Sequence, residues 1–211
     1  MTFFYVSEDG APLGIIAVSD PVRPESGFAV SRIKANGAEV IMVTGDNKAT
    51  ADAVAREVGI DRVVSDAAPG DKLEVVKELQ TEGRYVAVAG DGINDAPALA
   101  QSDLGLAVRN GTDIAMDSAD VVMMTDDIRS IPASMELGKA TMKNVKQNLF
   151  LAFIYNLVAI PVAAGALFLF GIGEVSMMPM ISAAAMSASS LLVVTNALRL
   201  RGYAPESLSP A

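Results

Sequence analysis

Two carboxylates four residues apart stand in the run Gly90-Asp91-Gly92-Ile93-Asn94-Asp95. The apolar segment Tyr85-Val86-Ala87-Val88-Ala89 precedes it, with the length of a buried strand. Ala96-Pro97-Ala98-Leu99-Ala100 follows and opens a helix. The acidic pair therefore falls at the C-terminal tip of a strand, the edge of an open α/β sheet where ligands bind. Hard oxygen donors in a glycine-rich turn suit Mg²⁺, which takes one or two carboxylates and keeps waters and phosphate oxygens. Taken alone, the run also reads as an acidic turn in which Gly supplies an unusual backbone angle.

Two further stretches carry chemistry of the same kind. Val43-Thr44-Gly45-Asp46-Asn47 ends a strand and opens a helix, so a hydroxyl and free N–H groups can meet a phosphoryl oxygen. Lys72, in Pro69-Gly70-Asp71-Lys72, lies in the first turn of another helix. A cation is mildly unfavourable against the helix dipole there, so a role as counter-charge to phosphate competes with that of a solvated lysine. The rigid Asp20-Pro21-Val22-Arg23-Pro24 segment reads equally as a structural turn and as a participant.

The elements that must hold these residues alternate in type. Leu13–Val18, Glu39–Val43, Tyr85–Ala89, Leu104–Val108 and Asp120–Met124 read as strands, and Glu25–Ala35, Asn47–Val58 and Asp71–Glu82 as helices. Alternation of this kind builds a Rossmann-like α/β domain with a mainly parallel sheet.

Composition changes near Asn148. Residues 1–147 hold 23 of the 25 acidic and 14 of the 16 basic side chains, a net charge of 14 − 23 = −9, and the remainder is neutral. An acidic domain argues against nucleic-acid binding. The chain has neither Cys nor His, so disulfides, thiolate metal sites and His-based nucleophilic catalysis are excluded within it. Residues 148–170 and 177–198 are free of charge, and each is long enough to cross a bilayer. Six residues join them, which predicts a transmembrane hairpin. Lys139, Lys143 and Lys146 precede the first span, Arg199 and Arg201 follow the second, and the connecting loop has Glu174 only. The positive-inside rule then puts the α/β domain and both ends in the cytoplasm.

Within the spans, Tyr155 and Asn156 stand in the first, and Met186-Ser187-Ala188-Ser189-Ser190 in the second. Met186 and Ser190 share a helix face, and a thioether is a soft donor suited to Cu(I). No carboxylate lies inside either span. The serines alone fit close helix packing equally well.

Together, Thr44-Gly45-Asp46, Lys72 and the 90–95 loop resemble the phosphorylation domain of P-type ATPases, in the haloacid-dehalogenase-like superfamily. Tyr-Asn in one span and Met-x-x-Ser-Ser in the next resemble the copper(I)-transporting branch. The resemblance runs from about Gly14 to Arg201. It implies Mg²⁺ held by Asp91 with support from Asp95, and phosphoryl contacts from Thr44 and Lys72. Asn94 assists, and Asp46 lies toward ATP. Tyr155, Asn156, Met186, Ser189 and Ser190 are the implied transmembrane copper residues. The reaction implied is in-line transfer from ATP to a carboxylate.

The sequence lacks the Asp-Lys-Thr-Gly-Thr motif of the family nucleophile, the Asp-x-Asp pair of related phosphatases, and the Cys-Pro-Cys of the family's membrane path. The expectation is therefore a C-terminal fragment of a Cu(I) or Ag(I) export pump in a bacterial inner membrane, inactive alone and completed by the missing N-terminal part. Residues 1–18 are expected to return from a nucleotide-binding domain, 19–129 to form the phosphorylation domain, 130–147 a linking helix and 199–211 a tail. A non-catalytic module that pairs with a second chain, and a membrane-anchored phosphatase, are the alternatives.

Overall fold

A computed structural model describes residues 2–18, 21–108, 112–166, 168, 171 and 175–208. It divides into two units, residues 1–132 and 133–211.

The first unit opens with an antiparallel hairpin, β1 (Thr2–Glu8) and β2 (Ala11–Val18). Asp9 and Gly10 turn it, both at positive φ (49° and 82°), the combination a two-residue hairpin turn with the right twist requires. The rest alternates as expected: α1 (Ser26–Ala35), β3 (Ile41–Val43), α2 (Lys48–Val58), β4 (Arg62–Val64), α3 (Asp71–Thr81), β5 (Ala87–Gly90), α4 (Ala96–Gln101), β6 (Leu104–Val108), α5 (Asp113–Asp117) and β7 (Val121–Met123). All pairings among β3 to β7 are parallel. They fall, however, into two sheets, β3–β4 and β5–β6–β7.

Local sequence explains the helix limits. Asn47 caps α2, its side-chain oxygen accepting the Thr50 N–H at 3.0 Å, and Gly59 ends it in the left-handed region. Thr112 caps α5 in the same way. The core is helical alanine and leucine against strand residues. Ala29, Val30, Ala51 and Ala55 are buried on α1 and α2, and Val76, Leu79, Ala98 and Leu99 on α3 and α4, with Leu106, Ala107 and Met123 below. Gly105 is required here, because a Cβ would stand 3.0 Å from the Leu99 carbonyl oxygen and 3.3 Å from Ala119 Cα.

Strand starts differ from the sequence reading. β5 begins at Ala87, not Tyr85, because Val86 is held instead by Asp103, whose carboxylate accepts the Val86 N–H at 2.8 Å. β3 begins at Ile41, and Glu39 ahead of it pairs with Arg84.

The second unit holds two long apolar helices. α6 (Ser130–Ala163) runs unbroken through the expected linker 130–147 and into the first span. It runs to Ala163, and the expected end of the span at Phe170 lies outside the described residues. Gly165, at φ 92°, takes the left-handed position. Its N–H donates to the Val162 carbonyl and that of Ala166 to the Pro161 carbonyl, which satisfies the last turn. α7 (Met178–Leu198) is the second span. Both helices are long and apolar enough to cross a membrane.

Asparagines join them. Asn144 donates to the Asn196 carbonyl at 2.8 Å, Asn196 donates to Asn148 Oδ1 at 2.8 Å, and Asn148 donates to Asn144 Oδ1 at 3.0 Å. Ser182, buried, donates to the Ala159 carbonyl at 3.2 Å. With no water in a bilayer core, such side chains find their partners on the neighbouring helix.

Candidate active site

The site forms where three strand-to-helix connections meet. Asp95 is its best-fixed member. It is 8% exposed, and its Oδ2 accepts the N–H of Gly92 at 3.1 Å and of Asp91 at 3.3 Å. Its other oxygen accepts from Lys72 Nζ at 2.5 Å. The carboxylate thus closes its own loop and anchors a lysine from α3. Burial alone pushes the Asp95 carboxyl up. The hydrogen bonds from Lys72, Gly92 and Asp91 outweigh it and hold the group below the usual carboxylate range. Gly90 has no alternative in this packing: a Cβ would stand 2.7 Å from Asp95 Cβ.

The Thr44 loop reaches the same place through the backbone. The Ala67 N–H donates to the Thr44 carbonyl at 3.1 Å, and the Asp66 N–H to the Asp46 carbonyl at 2.8 Å. Asp66 takes positive φ (55°) to make that turn. Residues 66–68 then lead into α3, where Asp71 accepts the Ala68 N–H at 2.8 Å. One continuous chain of bonds therefore links Thr44, Gly45 and Asp46 to Lys72 and onward to Asp95. The Thr44 hydroxyl is shared locally with the Asp46 carboxylate at 2.9 Å.

Asp91 and Asn94 are exposed at the tip of the loop. The Asp91 carbonyl accepts the Thr112 N–H at 2.9 Å, which fixes the backbone beneath its side chain. An exposed carboxylate is a hard oxygen donor of the kind that suits Mg²⁺, an ion that retains several waters. No cluster of three His, Cys, Asp or Glu that could hold a metal ion exists among the described residues.

The candidate residues of the spans are arranged differently. Met186 and Ser190 are exposed on α7 and Asn156 is exposed on α6, whereas Ser189 is buried and Tyr155 partly buried. The Ser190 hydroxyl donates to the Met186 carbonyl one turn back at 3.2 Å. The asparagine bridge went unread in the sequence. Its signal was the i, i+4 spacing of Asn144 and Asn148, which puts two amides on one helix face.

A haloacid dehalogenase-like hydrolase profile matches residues 3–103. A phosphatase from Moraxella catarrhalis that acts on 3-deoxy-D-manno-octulosonate 8-phosphate shares the fold at 19% identity and a TM-score of 0.50, over 64% of this chain and 76% of its own. Those likenesses define the α/β unit as haloacid-dehalogenase-like. Closer relatives carry both units. Copper-transporting ATPase 1 of Rhizobium meliloti is 50% identical over 95% of this chain and 24% of its own length. The silver exporting P-type ATPase of Salmonella typhimurium is 47% identical over 95% of this chain and 24% of its own. A crystal structure of a zinc-transporting PIB-type ATPase in its E2.Pi state superposes with a TM-score of 0.79 at 32% identity, over 93% of this chain and 31% of its own. The chain belongs to the P-type ATPase family, and it spans about a quarter of the length of the curated relatives it matches.

Proposed function

We propose that the chain is part of an ATP-driven pump that exports Cu(I), working through an aspartyl phosphate. The observation that carries this reading is the bond from Lys72 to Asp95, which joins α3 to the 90–95 loop and, through residues 66–68, to Thr44. Asp91, supported by Asp95, would hold Mg²⁺, which neutralises charge on a transferring phosphoryl group. Thr44 and Lys72 would contact that group, with Asn94 beside it and Asp46 toward ATP. Positioning and charge neutralisation supply most of the catalysis in such reactions.

Copper is the favoured cargo because the described spans offer a thioether and hydroxyls and no carboxylate. Relatives include a silver exporter, and Ag(I) asks for the same soft donors. In this reading Tyr155, Asn156, Met186, Ser189 and Ser190 line the ion path once further helices cover their exposed faces. Lys139, Lys143, Lys146, Arg199 and Arg201 put the α/β unit on the cytoplasmic side of a bacterial inner membrane. The 211 residues alone are inactive, since the sequence lacks the family's nucleophile motif.

The test is labelling with γ-³²P-ATP, followed by acid quench. The longer protein bearing this sequence forms an acid-stable phosphoprotein with Cu(I), and the purified 211-residue chain forms none. A phosphoprotein that appears with Zn²⁺ and not with Cu(I) would overturn the cargo assignment. One formed by the short chain itself would overturn the assignment of a missing nucleophile.

A further inference from the structure

The chain stays built after its last long helix. Beyond α7, Arg199–Gly202 and Glu206–Leu208 each form a single turn of 3₁₀-helix, and Tyr203 between them is extended (φ −76°, ψ 123°). The Tyr203 N–H donates to the Leu200 carbonyl at 3.1 Å, and the Leu208 N–H to the Pro205 carbonyl at 3.2 Å. Segments of this kind are ordered when something ties them down, and Ser207 does so here. It is 0% exposed, and both its donors go to the side chain of Glu136 on α6. The hydroxyl donates to Oε1 at 2.5 Å and the N–H to Oε2 at 3.2 Å. Glu136 is itself 8% exposed. A carboxylate withdrawn that far from water is costly unless its oxygens are hydrogen-bonded, so Glu136 and the tail hold each other in place.

This contact continues a pattern. Ser182 meets the carbonyl of Ala159, Asn196 meets Asn144 and Asn148, and Ser207 meets Glu136. As positions rise along α7 and the tail, they fall along α6, the order of an antiparallel pair. The register of the hairpin therefore runs on past the end of α7. From Ala159 to Glu136 the three fastenings cover about 35 Å of α6, at 1.5 Å per residue. Of the three, the last is made to a carboxylate, which accepts more strongly than a carbonyl or an amide.

We propose that residues 199–208 are a strap and that Glu136 is a positioning residue, the strap fastening the start of α6 to α7 and so holding the register of two helices that share the ion path. The positioning role rests on the pump reading above, and the strap on the two hydrogen bonds alone. Tyr155 and Asn156 stand on α6, and Met186, Ser189 and Ser190 on α7. A metal ion that takes donors from both helices binds more weakly when they rock or slide against each other. The phosphate chemistry has no such dependence, since Thr44, Lys72, Asp91 and Asp95 all belong to the other unit. The strap therefore acts on copper and not on ATP.

Two measurements separate the strap from its role. Hydrogen exchange read by mass spectrometry on the whole chain in detergent should show residues 203–208 exchanging about tenfold or more faster in Ser207→Ala and in Glu136→Gln than in the native chain. Equal exchange in all three overturns the strap. In the longer protein bearing this sequence, the same variants should raise the Cu(I) concentration that half-saturates ATP hydrolysis by about twofold to tenfold. The half-saturating ATP concentration should not change. The double variant should shift copper no further than the worse single one, because both substitutions break one contact. A protein that is only less stable loses turnover at unchanged half-saturation. Unchanged copper half-saturation in variants whose strap exchanges freely overturns the positioning role, as does an equal shift for ATP. A native longer protein that Cu(I) fails to stimulate overturns the pump reading and the positioning role with it, and the exchange result still decides the strap.

Discussion

Lys72 Nζ and Asp95 Oδ1 stand 2.5 Å apart, although 23 positions separate them in the sequence. One side chain comes from the first turn of α3 and the other from the turn after β5. A lysine there works against the dipole of its own helix, and the Asp95 carboxylate offsets that cost. Charge, loop closure and the registration of two helices thus converge on one bond.

Replacing Lys72 by Met should therefore weaken the α/β unit. Asp95 would keep its two backbone donors and lose its cation while remaining buried. The loss should be about 1–2 kcal/mol, toward the lower part of the range for buried charged partners because the Lys72 side chain is 30% exposed. Lys77→Met, which breaks an exposed pair with Glu74, should cost less than about 0.5 kcal/mol. Denaturant melts of the two variants, followed by circular dichroism, compare them directly.

Acid should act on the same bond. The folded Asp95 carboxyl titrates below its ordinary value of 3.8, because the bonds from Lys72, Gly92 and Asp91 outweigh its burial. A group depressed on folding gives stability that is present above the unfolded pKa and lost as pH falls through the folded one. Stability should thus fall with pH below about 4. Asp127, held down chiefly by its hydrogen bonds from Arg129, adds a second loss in that window. The Asp95→Asn variant isolates the first, since its stability should change less steeply with pH than that of the native chain. Parallel curves for the two would show that Asp95 is not a source of acid sensitivity.

Gly90→Ala tests how tightly the loop is packed. Its new methyl would stand 2.7 Å from Asp95 Cβ and 2.9 Å from Cγ and Oδ2, so the carboxylate must move off its donors. Overpacking of this kind costs about 1–3 kcal/mol. Gly138→Ala, in α6 with open space about it, should be neutral or stabilising by up to about 1 kcal/mol. Thermal melts of the pair measure both effects, and a Gly90→Ala chain as stable as the native one would show that the loop yields freely.

Much of this site could be read before the fold was known, for a physical reason. Gly90–Asp95 and Thr44-Gly45-Asp46 are strand-to-helix turns, and turn chemistry is local. Glycine, a short acid and a capping residue declare themselves within a few positions. Lys72 was legible as an anomaly, a cation where the dipole disfavours one. Pairing between sheets was not legible, because it depends on neighbours far away in sequence. The apolar runs at β3 and β5 have the composition of interior strands, yet among the described residues each pairs on one side only. Short elements also went unread. Arg62–Val64 and Asp113–Asp117 are too brief for a period to show. In the membrane unit composition alone marked the spans, while the end of α6 turned on Gly165, a single residue inside an apolar run.

The asparagine bridge gives the hairpin a test of its own. Asn148 both accepts from Asn196 at 2.8 Å and donates to Asn144 at 3.0 Å. Asn148→Leu removes both bonds and leaves the Asn196 amide without that acceptor. Asn144 retains its bond to the Asn196 carbonyl, so one link between α6 and α7 survives. Hydrogen bonds between membrane helices are worth about 0.6–2 kcal/mol each. The variant should therefore loosen the hairpin without abolishing it. Asn144→Leu removes the link to the backbone as well as the contact with Asn148, and it should cost at least as much. Cysteine pairs placed across the two helices, in a chain that has no native cysteine, report the effect. Their disulfide cross-linking rate should fall in Asn148→Leu and fall as far or further in Asn144→Leu. Unchanged rates in both would mean that packing around Ser182 and Ala159, rather than the amides, holds the helices in register.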